Sequence, residues 1–313
     1  MDSSKQHTLK REYHFEGNGL HTGRMSSMTV CPAPAGSGIT FVRLDLPEGE
    51  NTLSASADCV TLTRRSTTLS SGKASVKTVE HLLSALYALG VDNAIVKLSQ
   101  VEAPILDGSA KPYADAFSSD GLEEQDAARI FIEVREPVNY KDDSTGSEIT
   151  ILPADDFETD VTIDFHDSVI GVQKAYYEDG MDFTREIAPC RTFCFLKEVM
   201  YLLVLGLIKG GSLDDAIVVC DRPVNDITLW YLKRVFGVRD IKRVPEGYLS
   251  NVKLHFDNEC ARHKLLDVIG DFALSGHPIK GRIVAYKPGH KINTAAVKML
   301  SDIYKDQNLN SVQ

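Results

Sequence analysis

The stretch Ala261-Arg-His-Lys-Leu-Leu-Asp-Val-Ile-Gly-Asp271 is the best guide to the fold and to its chemistry. Its apolar residues recur at helical spacing, and His263 and Asp267, four residues apart, share one face of the predicted helix. An imidazole beside a carboxylate is half of a metal site. The same pattern is also typical of an ordinary amphipathic helix with a solvated polar face, so this stretch alone leaves both interpretations open.

A second predicted helix, Thr78-Val-Glu-His-Leu-Leu-Ser-Ala-Leu-Tyr-Ala-Leu-Gly90, offers a further imidazole. We expect Thr78 to cap this helix and Gly90 to end it. Glu80 and His81 then lie in the first turn, where the helix dipole keeps an imidazole neutral, as a metal ligand must be. Because adjacent residues point about 100° apart, we assign His81 to the metal and Glu80 to a neighbouring water as general base. Taken alone, a first-turn glutamate is more often only a favourable partner of the dipole.

The two helices belong to a pattern that occurs twice. A histidine, a leucine-bearing helix, a glycine and a strand follow one another from His81 to Leu98 and again from His263 to Tyr286. The small polar and acidic stretch Ser118–Ala127 between the halves predicts a linker. We therefore expect two similar domains, 1–124 and 125–313, related by duplication and with a site between them. Helices and strands mix without strict βαβ alternation, which favours an α+β fold.

Composition and charge limit the function classes. The 313 residues carry a formal net charge of −10, which argues against nonspecific nucleic-acid binding. The N-terminus has no apolar signal segment, and the longest apolar run, Met200–Ile208, is too short to span a bilayer. Six cysteines without a Cys-x2-Cys pair are typical of reduced packing thiols, although Cys190 and Cys194 could also pair as metal ligands. We expect a cytoplasmic monomer with no transmembrane segment and no nucleic-acid partner.

The segment Phe195–Ile208 predicts a helix that is apolar nearly all round. Such a helix is most simply buried in a core. The alternative is the wall of a passage for an apolar ligand.

Seven motifs follow one another along essentially the whole chain. They are Gly19-Leu-His-Thr-Gly23, Thr78-Val-Glu-His-Leu82, Pro104-Ile-Leu-Asp-Gly-Ser109, Arg191-Thr-Phe193, Gly210-Gly-Ser212, Arg262-His-Lys-Leu-Leu-Asp267 with Gly270-Asp271, and Tyr286-Lys-Pro-Gly-His290. In this order they closely resemble the UDP-3-O-acyl-N-acetylglucosamine deacetylases, the zinc amidases of lipid A biosynthesis. The resemblance implies two similar two-layer α/β sandwich domains, each with a small insert, and an active site at their interface.

The resemblance also implies a reaction and the residues that perform it. The reaction is hydrolysis of the acetamide of an acylated UDP-N-acetylglucosamine to the free amine and acetate, the committed step of lipid A (lipopolysaccharide) biosynthesis. His81, His263 and Asp267 become ligands of one catalytic Zn²⁺, in a site that Fe²⁺ can also occupy. The remaining roles are the general base Glu80, the oxyanion donor Thr192, the proton donor His290, its orienting partner Asp271 and a substrate-contacting Lys264.

The residues alone, without the resemblance, leave several histidines and one serine without a chemical role. His290 after a Pro-Gly pair is then typical of a solvated turn. His21 lies in a predicted tight turn, His277 ends the second helix, and Ser109 is expected to cap the helix after the Asp107–Ser109 turn.

Departures from the family pattern leave two features of the site open. The departures are Cys194, Asp215 and Pro288. The two open features are the width of the acyl passage, placed at about residues 195–213, and the pose of His290. The chain ends at Gln313, so we expect it to lack the dehydratase domain that is fused to some relatives. The alternative function is a noncatalytic protein of the same fold that binds a nucleotide sugar or lipid, although such a binder needs neither a base nor an acid.

Overall fold

The computed structural model describes residues 4–166, 168–204, 212–213, 215–251 and 253–310. The strands are β1 (Lys5–Leu9), β2 (Tyr13–Asn18), β3 (Met25–Pro32), β4 (Ile39–Arg43), β5 (Thr52–Ser54), β6 (Val60–Leu62), β7 (Thr68–Ser71), β8 (Ala74–Lys77), β9 (Ala94–Leu98), β10 (Leu122–Ala128), β11 (Ile132–Glu133), β12 (Val138–Asp142), β13 (Ser147–Leu152), β14 (Phe157–Phe165), β15 (Gly171–Glu178), β16 (Phe193–Phe195), β17 (Ile217–Val219) and β18 (Ile279–Tyr286). The helices are α1 (Glu80–Leu89), α2 (Lys111–Asp120), α3 (Phe183–Glu186), α4 (Leu196–Val204), α5 (Asp226–Phe236), α6 (Glu259–Phe272) and α7 (His290–Asn310).

Two sheets repeat one topology. The first has the order β2-β3-β9-β4-β5, with β9 antiparallel to β3 and parallel to β4. The second has the order β12-β13-β18-β14-β15, with β18 antiparallel to β13 and parallel to β14, and β11 also pairs with β18. In each sheet the central strand is the one that follows a histidine-bearing helix. The α+β fold and the duplicated architecture are confirmed.

Helices cover one face of each sheet. The rings of Tyr13 and Phe15 on β2 contact those of Tyr113 and Phe117 on α2 at centroid distances of 4.8 to 6.1 Å. In the second half, α6 packs on β14 and β15, and α7 packs on β12 and β13. Helices α1 and α6 then pack against each other, so that the two histidine-bearing helices meet between the sheets.

The interface between α1 and α6 belongs to one continuous apolar core. Leu83 and Leu86 of α1 and Leu266 and Ile269 of α6 are all buried in it. Complete burial of such a side chain contributes roughly 1.5–3 kcal/mol. The period of the leucines therefore fixes which faces of α1 and α6 remain for polar residues.

Each half carries an insert. The first consists of the three-stranded sheet β6-β7-β8, and the second contains β16, β17, α4 and α5 around a small separate core. Residues 200–204 of the predicted apolar run lie in α4, whereas 205–208 lie outside the described residues. Within the described ranges, no helix has both the length and the apolarity needed to cross a bilayer.

The start of α1 differs from the prediction. Thr78 does not cap the helix, because its hydroxyl donates to Glu102 Oε1 at 3.0 Å, and Val79 occupies the N-cap position without a side-chain cap. Thr78 also has a φ of 57°, which is unfavourable for a β-branched residue. At the other end, Gly90 adopts the left-handed conformation that was predicted to end the helix.

The stretch predicted as a linker also differs from the prediction, because it has regular secondary structure. Ser118–Asp120 end α2, and the following residues form β10, which pairs with β1. The strand is held in place because Gln125 donates to Ala33 O and accepts from Asn93 Nδ2. The division between 124 and 125 falls inside β10, and the domain boundaries stay a prediction.

Candidate active site

The three predicted metal ligands come together between α1 and α6. One ligand atom from each of His81, His263 and Asp267 lies within 4.8 Å of the others, and all three residues are buried. Asp267 Oδ1 is 3.6 Å from His263 Nε2 and 4.0 Å from His81 Nε2. This oxygen is buried without a hydrogen-bond partner among the described residues, and a bound cation would provide the missing partner. Two imidazole nitrogens and a carboxylate oxygen fit a zinc-type divalent ion.

The electrostatics keep these ligands deprotonated. Burial, together with the neighbouring His263, lowers the pKa of His81 to about 3. Burial also lowers the pKa of His263, whose Nδ1 donates to Cys190 O at 3.0 Å and so leaves Nε2 as the free acceptor. Burial alone would raise the pKa of Asp267, but Lys264 Nζ at 2.9 Å and the imidazoles hold it well below its usual value. All three groups are therefore ready to bind a metal.

A buried carboxyl group and a buried imidazole lie beside this cluster. Glu80 Oε2 accepts from Thr67 N at 3.1 Å, and burial raises the pKa of Glu80 to about 7. His290 begins α7 and is buried, so it is not a solvated turn residue. Its Nε2 lies 3.8 Å from Glu80 Oε1 and 4.0 Å from Asp267 Oδ2. Burial opposes its charge, but Asp271, Asp267 and Glu80 together raise the pKa of His290 to about 9.

Asp271 anchors the ring of His290. His290 Nδ1 donates to Asp271 Oδ2 at 2.9 Å, and Asn293 Nδ2 donates to the same oxygen at 2.8 Å. The Thr67 hydroxyl donates to Asp271 Oδ1 at 2.6 Å. Thr67 therefore holds both Glu80, through its backbone, and Asp271, through its side chain.

The sequence analysis missed Thr67 and Asn293. Asn293 follows His290 by three residues on α7, and this helical spacing could have indicated a shared partner. Nothing in the run Ser66-Thr67-Thr68 distinguishes Thr67, because its two contacts join segments that are distant in sequence.

A glycine brings the two helices into contact. A Cβ atom on Gly270 would lie 2.1 Å from Glu80 O. Only a residue without a side chain allows α6 to approach the first turn of α1 this closely. The Gly270-Asp271 pair thus combines close packing with the anchoring of His290.

Glu102 ties the Gly19–Gly23 turn to the start of α1. It is fully buried and accepts from His21 N at 3.0 Å, Thr22 N at 2.8 Å and the Thr78 hydroxyl. These bonds fix His21 in the wall of a cavity that adjoins the cluster, where its Nε2 is buried without a partner among the described residues. His277 lies elsewhere, in a small pocket beside Tyr87.

The Arg191-Thr-Phe193 motif is attached to the N-terminus of α6. Arg191 Nε and Glu259 Oε1 form a buried ion pair at 3.0 Å, and the backbone N–H of Arg191 donates to the same carboxylate. Thr192 N donates to Gly108 O, and Thr192 O accepts from Ile217 N, both at 2.8 Å. Thr192 is therefore fixed in the cavity wall.

A cavity of about 520 Å³ opens from the cluster. Thr192 and Lys264 line it together with Glu80 and His290. Apolar residues of the second insert also line it, among them Val199, Leu213, Val218 and Phe236. Cys194 also lines the cavity, but among the described residues neither it nor Cys190 belongs to a metal-binding group, because Cys194 lies on β16 and Cys190 offers its carbonyl to His263.

Comparison with known proteins identifies the family. A family model described as UDP-3-O-acyl N-acetylglycosamine deacetylase (LpxC) matches residues 6–232 and 243–302. The chain is 44% identical over 309 residues to the "Bifunctional enzyme LpxC/FabZ" of Bacteroides thetaiotaomicron, a match that covers 99% of this chain and 66% of that relative. It is 39% identical over 302 residues to the UDP-3-O-acyl-N-acetylglucosamine deacetylase of Myxococcus xanthus, covering 96% of this chain and 88% of the relative. The chain thus spans about two thirds of the bifunctional relatives' length, and it belongs to the UDP-3-O-acyl N-acetylglycosamine deacetylase family.

Proposed function

We propose that this protein is a zinc-dependent hydrolase that removes the acetyl group of UDP-3-O-acyl-N-acetylglucosamine, the committed step of lipid A biosynthesis. Family membership supports the reaction and the substrate class. The observation that carries the proposal is the meeting of Glu80 and His290, 3.8 Å apart, beside a buried cluster of two histidines and an aspartate.

His81, His263 and Asp267 are the proposed metal ligands. Their set of two nitrogens and one carboxylate oxygen suits Zn²⁺ and also accepts Fe²⁺. Zinc held there supplies Lewis acidity, which polarises an amide carbonyl and makes water more acidic. The ion pair between Lys264 and Asp267 and the bond from His263 to Cys190 O orient two of the three ligands.

Glu80 is the proposed general base. Its Oε2 is engaged by Thr67 N, so Oε1 is the oxygen that faces the cluster and takes a proton from the attacking water. A pKa of about 7 leaves much of Glu80 ionised at neutral pH and able to hold the proton it accepts. The water oxygen bonds to the acetamide carbon as the carbonyl oxygen gains negative charge.

Three groups are proposed to complete the reaction. The Thr192 hydroxyl donates to the developing oxyanion, and Lys264 contacts the substrate from the same wall. His290, protonated with its Nδ1 bound to Asp271, donates the proton on Nε2 to the amine nitrogen as the C–N bond breaks. Acetate and the free amine result. Asp271 acts by orienting the ring of His290.

The apolar wall of the cavity is proposed to bind the acyl chain. Val199 and Phe236 come from the two helices of the second insert and face the same space as the catalytic groups. Each buried methylene contributes ~0.8 kcal/mol, so a fatty chain can hold the acetamide in position from a distance.

The test is an acetate-release assay on purified protein together with metal analysis. We expect about one zinc per chain and rapid release from the acylated UDP-sugar. A UDP-N-acetylglucosamine without the 3-O-acyl chain should react with a kcat/KM lower by orders of magnitude. Metal-loaded protein that binds the acylated substrate but releases no acetate would instead identify a noncatalytic relative.

We infer a cytoplasmic, monomeric protein whose partner is its small-molecule substrate. The six cysteines are free, as is typical of a reducing compartment. Sedimentation of the metal-loaded protein checks the monomer, and fractionation of cells that express the chain checks the compartment.

A further inference from the structure

Helix α5 of the second insert has apolar residues on two opposite sides. Leu229, Leu232 and Phe236, at helical spacing, face the small core of the insert, and Leu232 is fully buried there. Ile227 and Trp230, one turn apart on the other side, are 77% and 60% exposed. The helix therefore presents two large apolar side chains to solvent although its packing face is already satisfied.

An arginine extends this exposed face, in a segment rich in basic residues. Arg234 continues the row of Ile227 and Trp230, and its guanidinium lies 5.8 Å from the centre of the Trp230 ring. Residues 226–243 contain five basic and two acidic side chains, in a chain whose net charge is −10. The exposed apolar pair thus lies in a locally basic part of an acidic protein.

We propose that this outer face of α5, defined by Ile227, Trp230 and Arg234, docks on an anionic lipid bilayer. A large side chain buries roughly 150–250 Å², so two cover much less than the ~800 Å² per partner of a stable protein interface. The same pair is sufficient for shallow insertion at the headgroup boundary, where tryptophan is favoured. Lysine and arginine beside it bind anionic lipid phosphates.

The position of α5 suggests a function for such docking. Phe236, on the inner side of the same helix, lines the cavity that holds the catalytic groups. Docking would bring the apolar wall of this cavity close to the membrane, where acylated molecules partition. This use rests on the proposed function, whereas the docking itself rests only on the exposed face and its charge.

Trp230 provides a direct measurement because it is the only tryptophan in the chain. Vesicles of phosphatidylethanolamine with about a quarter phosphatidylglycerol should shift its fluorescence to the blue, and bromine on the lipid acyl chains should quench it. Added salt should weaken the binding, since part of it is electrostatic. Vesicles of phosphatidylcholine alone should bind much more weakly.

Two variants keep the reporter and remove the docking groups. Ile227→Asp and Arg234→Glu should each weaken vesicle affinity by about tenfold. The control is Leu44→Asp, which changes an apolar residue of the first half that is also well exposed, and it should bind vesicles like the unchanged protein. Without vesicles, the two docking variants should release acetate normally, which shows that they are folded.

Several results would overturn the proposal. They are the absence of a blue shift, an equal shift with uncharged vesicles, unchanged vesicle affinity in both variants, or a shift that grows with protein concentration without lipid and so indicates self-association. Vesicle binding by a protein that releases no acetate would refute the proposed function alone, so the two failures are distinguishable.

Discussion

The two halves of the molecule share a sheet topology but carry their reactive groups at different places along the equivalent helix. In α1 the groups are Glu80 and His81, the first two residues of the helix. In α6 they are His263, Asp267 and Asp271, spread from the second turn of the helix to its last. The repeated architecture thus brings together two unlike surfaces, and neither half contains a complete site.

The halves also differ in how they hold these groups. The start of α1 is fixed by the bond from the Thr78 hydroxyl to Glu102 and by the bond from Thr67 N to Glu80. The bond to Glu102 also holds Thr78 in its unfavourable backbone conformation. The reactive face of α6 is held by the buried apolar side of the helix, by the bond from His263 to Cys190 O, and by the bonds from Thr67 and Asn293 to Asp271. We therefore expect substitution of a proposed metal ligand to be equally severe in either half, and loss of a single supporting contact to matter less.

The largest effects should come from the ligands, irrespective of the half. His81→Ala and His263→Ala should each empty the metal site and lower kcat/KM more than about 10³-fold, because either change leaves two ligands. Metal content per chain is the measurement. His277→Ala, outside the cavity, is the control and should retain the metal. Full occupancy in the His263→Ala protein would contradict the assignment.

The next largest effect should come from loss of Glu80, the proposed general base, which lies in the first half. Glu80→Gln should lower kcat by about 10²- to 10⁴-fold with the metal retained, because only the proton acceptor is lost. The unchanged protein should show a bell-shaped pH profile. Its activity should rise as Glu80 loses its proton near pH 7 and fall as His290 loses its proton near pH 9.

His290→Gln tests the alkaline limb of this profile. The variant should be slower and should no longer lose activity through pH 9, whereas the acid limb should stay. Because Glu80 and His290 interact, the two apparent pKa values belong to the pair. An unchanged alkaline limb would show that another group is the acid.

A smaller effect concerns the contact between the halves. Gly270→Ala places a Cβ against Glu80 O and should lower the free energy of unfolding by about 1–3 kcal/mol. Thermal or denaturant unfolding measures it. Gly289→Ala is the matched control, since a Cβ there meets no atom within 4 Å. Equal stability of the two variants would mean that α1 and α6 adjust easily.

The smallest effect should come from Thr67→Val. It removes the hydroxyl bond to Asp271 but keeps the backbone bond to Glu80, so kcat should fall by about tenfold with metal content unchanged. Thr67→Ser keeps the hydroxyl and should restore most of the rate. A Ser variant as slow as the Val variant would indicate a packing role instead.

Short-range patterns predicted the parts of this site that lie on single helices. The spacing of His263 and Asp267 and the position of His81 in a first turn needed only helix geometry. The support for Glu80 could not be found in this way, because Thr67 and Glu102 act across tertiary contacts. The same reason explains Thr78, whose hydroxyl was expected to cap α1 and binds Glu102 instead.

The fold was predictable to a similar extent. The repeated order of helix, glycine and strand indicated the duplication that the two sheets confirm. The stretch expected to be a linker forms the end of α2 and most of β10, and its polar composition does not reveal that β10 pairs with β1 at the start of the chain. The roles of Thr192 and Lys264 stay predictions, although both line the cavity.

The position of the proposed metal ligands on both halves also affects the unfolded chain. His81 and His263 are separated by about 180 residues, so an ion that binds both acts as a reversible cross-link across most of the sequence. In the unfolded chain the ends of that loop rarely meet, and binding free energy adds to folding free energy. Chelation would therefore lower the melting temperature as well as stop the reaction, and metal supply would influence how long the folded chain survives.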